Sequence, residues 1–302
     1  MDGILVVNKE VNMTSFDVVA RVRKLTSTKK VGHAGTLDPD ASGVLPVCTG
    51  RATKIIEFLM NKDKAYRVEL ILGKATDTQD ASGSTLYERP VEASLEEIEK
   101  TIYSFIGEKK QIPPMYSAIK INGQKLYDLA RKGIEVEREP RTVFFHKIEI
   151  KEIERLNDKV RVLMDVECSK GTYMRTLCHD IGESLGCGGH MASLVRTRSG
   201  PFLLKEAYTL AELEELKNKG SLKTAFKRID EALLHFPPVY VSASDAKKLR
   251  NGMAIKCAGL TPGLYRIYDE NGSFLAIGKI LENGETLKSY KWIEPDNLGK
   301  DE

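Results

Sequence analysis

At 302 residues the chain exceeds a typical single domain, and 41% hydrophobic with 29% charged residues is the balance of a globular protein with a sizeable core. The net charge of +3 is too small to identify a polyanionic partner, and no apolar run reaches the roughly 20 residues that span a bilayer. Five cysteines, an odd number, argue against a disulfide framework and for a reducing compartment. The sequence runs straight into Ile4-Leu5-Val6-Val7, without the basic start and small-residue cleavage site of a signal peptide, so a cytoplasmic protein is expected.

In chain order, Ile4 to Val7 reads as a buried strand. Thr14-Ser15-Phe16-Asp17 resembles a capping box, and Val18, Val22 and Leu25 follow at helical spacing. Residues 33–46 (HAGTLDPDASGVLP) break every periodic pattern. Gly35 and Gly43 admit backbone conformations that other residues resist, and Pro39 restricts Asp38 to extended or turn geometry. A lone Asp-Pro is most often a surface turn. A constrained stretch this long, opened by His33, reads as a holder for one carboxylate.

Residues 52–60 suit a short helix. Tyr66, Val68, Leu70 and Leu72 alternate with Arg67 and Glu69, so Tyr66 opens a strand on an apolar face. Alone, it reads as a core aromatic with its hydroxyl at an edge. Ser94 and Glu97 make a second capping box, before a helical stripe of Leu95, Ile98, Ile102 and Phe105 that ends at Gly107. Asn122-Gly123 signals a tight turn. Residues 143–153 and 160–166 are strand candidates joined near Asn157-Asp158. The second leads to Cys168-Ser-Lys-Gly-Thr-Tyr-Met-Arg175, where Gly171 marks a sharp strand-to-helix junction; the helix that follows stops at Gly186. A further helix opens at Thr209. Beyond Pro237-Pro238, short strands punctuated by Asn271-Gly272 and Asn283-Gly284 read as a small, separate β-rich domain, with the boundary near 236.

Between residues 109 and 147, nine Lys/Arg stand against four Asp/Glu, a local excess larger than the whole chain's. Such a patch suits a polyanion and, on charge alone, equally a solvated face. Cys178, His179, Cys187 and His190 raise the question of zinc. Cys178 and His179 are adjacent, whereas zinc ligands come in pairs two to four residues apart. With no Walker loop, dinucleotide fingerprint or His-Glu-x-x-His either, no metal and no cofactor are expected.

Asp38 on its pinned loop, Tyr66 at a strand start, and Tyr173 with Arg175 at a strand–helix junction are candidates to meet at one place. An Arg fork on Asp38 would hold the carboxylate by two charge-assisted bonds and lower its pKa, favouring a nucleophile over an acid.

At these residues the sequence resembles the bacterial tRNA pseudouridine synthase B (TruB) family. The similarity runs through His33-Ala-Gly-Thr-Leu-Asp-Pro39, Leu45-Pro46, Ala52-Thr-Lys54, Lys64-Ala-Tyr-Arg67, Thr76-Asp-Thr78 with Asp80, and Pro114-Met-Tyr-Ser-Ala118. It continues through Lys125-Leu-Tyr127, Ala130-Arg-Lys-Gly133, Cys168-Ser-Lys-Gly-Thr-Tyr173 with Arg175, and Arg196-Thr-Arg-Ser-Gly200. One departure stands out: Glu10 and Asn12 replace the Pro and Gly of the family's Lys-Pro-x-Gly-x-Thr-Ser, which opens the question of that loop's path and of Lys9's role.

The resemblance implies an α+β pseudouridine synthase fold: a large, mostly antiparallel mixed sheet flanked by helices in residues 1–235, and a PUA-like RNA-binding β-barrel in 236–302. It implies isomerisation of uridine 55 in the T loop of tRNA, with base flipping and no cofactor; no protein partner is indicated, and with no long unexplained apolar stripe a monomer is expected. Asp38 matches the nucleophile, Arg175 its arginine partner, and Tyr66 the tyrosine that stacks on the uracil and moves a proton. His33 matches a residue that displaces T-loop bases, and Tyr173 and Leu194 match residues around the uridine. Lys9, Lys54 and Asp80 match positions near the RNA or cleft. Residues 110–142, with Lys120, Lys125, Arg131 and Lys132, fall where the family carries an insertion that closes over the T arm. Two rival readings are a non-catalytic RNA-binding or tRNA-folding protein using the same surface, and an Asp-dependent nucleoside hydrolase that would release free uracil.

Overall fold

The computed structural model describes residues 1–117, 119–121, 123–257, 259–282 and 284–293. Its strands in chain order are β1 (Gly3–Lys9), β2 (Val31–His33), β3 (Ser42–Thr49), β4 (Lys64–Leu72), β5 (Lys74–Thr76), β6 (Thr85–Glu88), β7 (Gly107–Gln111), β8 (Lys120–Ile121), β9 (Gln124–Lys125), β10 (Arg141–Leu156), β11 (Lys159–Cys168), β12 (Gly189–Ser199), β13 (Phe202–Leu203) and β14 (Phe226–Lys227). β15 (Pro238–Val241), β16 (Ile255–Lys256), β17 (Gly263–Asp269), β18 (Phe274–Ile280) and β19 (Thr286–Trp292) follow. The helices are α1 (Ser15–Thr26), α2 (Ile56–Met60), α3 (Leu95–Ser104), α4 (Leu126–Ala130), α5 (Met174–Ser184), α6 (Leu210–Asn218) and α7 (Ala243–Arg250).

A ten-stranded sheet runs β14-β1-β3-β12-β4-β11-β10-β7, with β2 on β3 and β13 on β12. Its pairs are antiparallel except β12 with β3, which meet in parallel at Val195–Ser42 and Arg196–Gly43. A five-stranded sheet, β15-β17-β18-β19-β16, forms the PUA-like C-terminal unit.

Burial explains why the strands differ in pattern. β1 is a continuous apolar run because both faces are covered. Leu5 and Val7 join the core beneath α1 and α6, while Ile4 and Val6 join a cluster with Phe58, Ile277 and Ile293 that links the two sheets. β11 and β4 alternate, because Val160, Val162, Met164 and Val166 face that same main core while the opposite face is open. The open face carries charge: Arg67 pairs with Asp165 at 2.8 Å and Arg198 with Glu167 at 2.8 Å.

Reciprocal capping boxes start α1 at Thr14 and Asp17, α3 at Ser94 and Glu97, and α6 at Thr209 and Glu212. Each satisfies two otherwise orphaned backbone donors. The helix expected over 52–60 divides into a 3₁₀ turn, Gly50–Ile55, and the short α2. Asn122 and Asn283, read as turn residues, lie outside the described residues. β12 had no strand-like alternation in the sequence. Its bulges at Met191/Ser193 and Arg196/Arg198 explain this, since each shifts the inside–outside phase by one residue.

Candidate active site

The loop between β2 and β3 carries Asp38 and is fastened from three directions. Beneath it, Lys9 at the end of β1 is fully buried, and its Nζ donates to the carbonyls of Glu10 (2.9 Å), Met13 (2.7 Å) and Pro39 (3.1 Å). Burial pushes the Lys9 ammonium down to about 8, against the pull of Asp38 and Asp40. Lys9 therefore braces the loop and lies out of reach of solvent. Asn12, standing where the resembled pattern has Gly, takes a left-handed φ of 63°, a conformation that Asn tolerates better than most residues. From α1, Ser15 Oγ accepts from Leu37 N (2.9 Å) and donates to Leu37 O (3.2 Å).

The third fastening is Arg196 on β12, which is 1% exposed. Its guanidinium donates to the carbonyls of Val44 (2.7 Å), Gly35 (3.0 Å) and Thr36 (3.2 Å). In the sequence Arg196 stands only inside a resembled motif, with no role attached to it. Gly43 makes this approach possible: it has a φ of +106°, and a Cβ there would sit 2.3 Å from the Arg196 carbonyl oxygen. Gly43→Ala is therefore expected to cost about 3 kcal/mol, a fall in Tm of roughly 6–12 °C, measurable by thermal unfolding.

Arg175 enters from the first turn of α5, after Gly171 turns the chain with a φ of 78°. Its Nη2 lies 3.1 Å from Asp38 Oδ2 and donates to the Tyr116 carbonyl at 2.7 Å, while Nη1 lies 3.5 Å from Asp80 Oδ2. The fork expected to clasp Asp38 alone is thus divided between two carboxylates. Asp80 is fixed in turn, its Oδ1 accepting from Thr78 Oγ1 (2.6 Å), Ser82 N (3.0 Å) and Ser82 Oγ (2.6 Å).

Burial, more than this division, corrects the expected pKa direction. The Asp38 carboxyl is raised above its ordinary value: desolvation by the surrounding protein is the largest cause, Arg175 opposes it, and the charges of Asp80 and Asp40 add to it. Even so, 43% of the side-chain surface stays accessible. Asp38 is walled by protein on some sides and open on another.

Tyr66 on β4 faces Arg196 in register, as Val68 faces Leu194, so Tyr66, Leu194 and Arg196 share one face of the sheet. Tyr66 is buried, which pushes its phenol up to about 12 against the neighbouring Arg196 cation. Tyr173 caps α5. Its N–H donates to Gln111 Oε1 (2.8 Å) and its carbonyl accepts from Gln111 Nε2 (3.0 Å), which fixes the junction to β7. Gln111 carried no signal in the sequence.

His33 ends β2 half-buried, and burial and Arg196 together lower its pKa. Lys54 turns toward the C-terminal sheet, donating to the Trp292 carbonyl at 2.6 Å, beside Arg51 on the Ile293 carbonyl at 3.0 Å. Arg131 and Lys132 are exposed after α4, with the Arg131 guanidinium 5.6 Å from the Tyr127 ring centre. The side chains of Lys120 and Lys125 lie outside the described residues. In the cysteine cluster, Cys178 is fully buried, and burial raises its thiol and that of Cys187. The His190 ring contacts the Lys74 carbonyl at 3.0 Å.

Comparison with known proteins agrees with this architecture. Residues 23–174 match the model for the TruB family pseudouridylate synthase N-terminal domain. Residues 175–234 match the tRNA pseudouridylate synthase B C-terminal domain, and 237–290 match the C-terminal domain of pseudouridine synthase II TruB. The chain is 52% identical over 255 residues to tRNA pseudouridine synthase B of Alkaliphilus oremlandii (strain OhILAs), covering 84% of this chain and 83% of the relative. It is 47% identical over 296 residues to the same enzyme of Clostridium perfringens (strain SM101 / Type A), covering 95% and 98%. Among solved structures, a Cbf5-Nop10-Gar1 complex superposes with a TM-score of 0.75 at 30% identity, over 97% of this chain and 85% of that one. An H/ACA RNP bound to a substrate RNA containing 2′-deoxyuridine gives 0.74 at 27%, over 98% and 86%. The fold is that of a pseudouridine synthase, an isomerase. Within that class, the chain belongs to the TruB family.

Proposed function

We propose that this enzyme converts uridine 55 in the T loop of tRNA to pseudouridine, with Asp38 as nucleophile and the target base flipped out of its stack. The observation that carries the reading is a solvent-accessible Asp38 carboxylate held 3.1 Å from the buried Arg175. A buried cation beside it and an open side are what a nucleophile approaching a sugar needs. Isomerisation breaks the C1′–N1 bond, turns the uracil and joins C5 to C1′; the C5 proton then leaves and N1 gains one. Pushed up to about 12, Tyr66 stays a neutral phenol, suited to stacking on the base. The base must leave its stack to reach such a pocket, and an aromatic face rewards it. The PUA-like unit and the basic surface at Arg131 and Lys132 hold the RNA backbone, and the protein works as a cytoplasmic monomer.

Incubating the protein with a T-arm stem-loop, without added metal, should yield pseudouridine at the T-loop uridine in a mass-silent modification assay. Release of free uracil, or no product, overturns the reading. Neutralising Lys125, Arg131 and Lys132 together should weaken binding and lower the slope of log K against log salt by roughly 2. An unchanged slope would make the patch a solvated face.

A further inference from the structure

Phe16 has the most exposed large apolar side chain among the described residues, at 77%. It occupies the first turn of α1, immediately after Ser15, whose hydroxyl is bonded to Leu37 next to Asp38. Its ring meets His33 edge to face, with centroids 6.1 Å apart and planes at 81°. One isolated exposed aromatic needs no explanation. This one is neither isolated nor part of an apolar patch. Along the same face of α1 come the exposed Ala20 and then Arg23, seven residues on, or roughly 10 Å at the helical rise. On that face an extended apolar partner finds only the small Ala20 side chain to bury beside the ring. A nucleotide does: a flat π-face for the base and a cation for a phosphate farther along the strand.

We propose that Phe16, buttressed by His33, is a stacking platform for a second unpaired nucleobase of the RNA, distinct from the base that enters the Asp38 site. This rests on the reading that the substrate is a tRNA loop whose bases are displaced. His33, whose imidazole is kept neutral by burial and by Arg196, adds an uncharged edge to the platform. Phe16 is thus a positioning residue, acting on affinity and leaving the chemical step alone.

The test uses the full chain and a full-length tRNA transcript. Phe16→Ala and Phe16→Leu should each weaken binding about tenfold by fluorescence anisotropy, while Phe16→Trp stays within about twofold of wild type. Leu keeps the hydrophobicity but lacks the π-face, so it separates stacking from general apolar contact. The single-turnover rate at saturating enzyme should stay within about twofold for all three. Melting temperatures should match, because the side chain is exposed. Unchanged binding by Phe16→Ala, or Leu acting as well as Phe, overturns the proposal. Because binding to the whole tRNA is the readout, the outcome is independent of which uridine is modified; failure to modify uridine 55 would count against the proposed target alone.

Discussion

Asp38→Asn should abolish pseudouridine formation, by about 10,000-fold or more in single-turnover rate, while T-arm RNA binds as tightly as before. The amide keeps the shape and can still accept from Arg175, but it cannot attack C1′. Arg175 is not stranded as a buried, unpaired cation, because Asp80 remains 3.5 Å away and Nη2 still donates to the Tyr116 carbonyl. The variant should therefore fold. It should also be more stable than wild type at neutral pH. Folding raises the Asp38 pKa, so the native state favours the protonated form, and wild type loses stability as pH rises from the ordinary carboxylate value through the raised one. Asn does not titrate. The Tm advantage of Asp38→Asn should appear at pH 7 and vanish below about pH 4. A variant that retains activity would remove Asp38 from the chemistry, and an advantage largest in acid would reverse the sign of the desolvation argument.

Arg196→Met should be the most damaging substitution outside the Asp38–Arg175 pair. Three carbonyls of the Asp38 loop and its return strand lose their donor: the buried Val44 carbonyl and the part-buried carbonyls of Gly35 and Thr36. One buried acceptor left unsatisfied and two part-buried ones left to water cost about 2–4 kcal/mol together, a fall in Tm of roughly 10 °C. The loop also loses the bonds that hold it, and with it Asp38, in place. A misplacement of about 1 Å is enough for a 100-fold loss of rate, so activity should fall by at least that much even well below the melting temperature. Arg196→Lys should recover part of the stability, since one ammonium reaches fewer of the three carbonyls, and little of the rate. A less stable but fully active Met variant would confine Arg196 to stability. Thermal unfolding and single-turnover assays on the same preparations decide between these outcomes.

Much of the scaffold was legible in the chain itself, because the signals are local. A capping box needs only two residues three apart, and Thr14, Ser94 and Thr209 each mark a helix start that the structure contains. β4 alternates because one face is buried, and β1 does not because both are. The Gly- and Pro-rich stretch around Asp38 declared a constrained loop from composition alone, although its last residues, from Ser42 on, pair as β3, and the order of motifs from His33 to Gly200 pointed to the family.

What the chain could not declare is set by neighbours far away in sequence. The Arg175 fork is divided because Asp80 arrives from another loop, and desolvation, with Asp80 adding to it, turns the direction of the Asp38 pKa. Lys9, matched only to a position near the RNA or cleft, is shown by burial and its bond to Pro39 to brace the Asp38 loop. β12 hid behind two bulges, and with it Arg196, whose partners are backbone carbonyls that carry no side-chain signature. Residue order alone thus determined many of the elements and the loop that holds the carboxylate, but not β3 or β12. Which charges share that site, and how far water is kept from them, was decided by tertiary structure, because desolvation and pairing depend on distance in space.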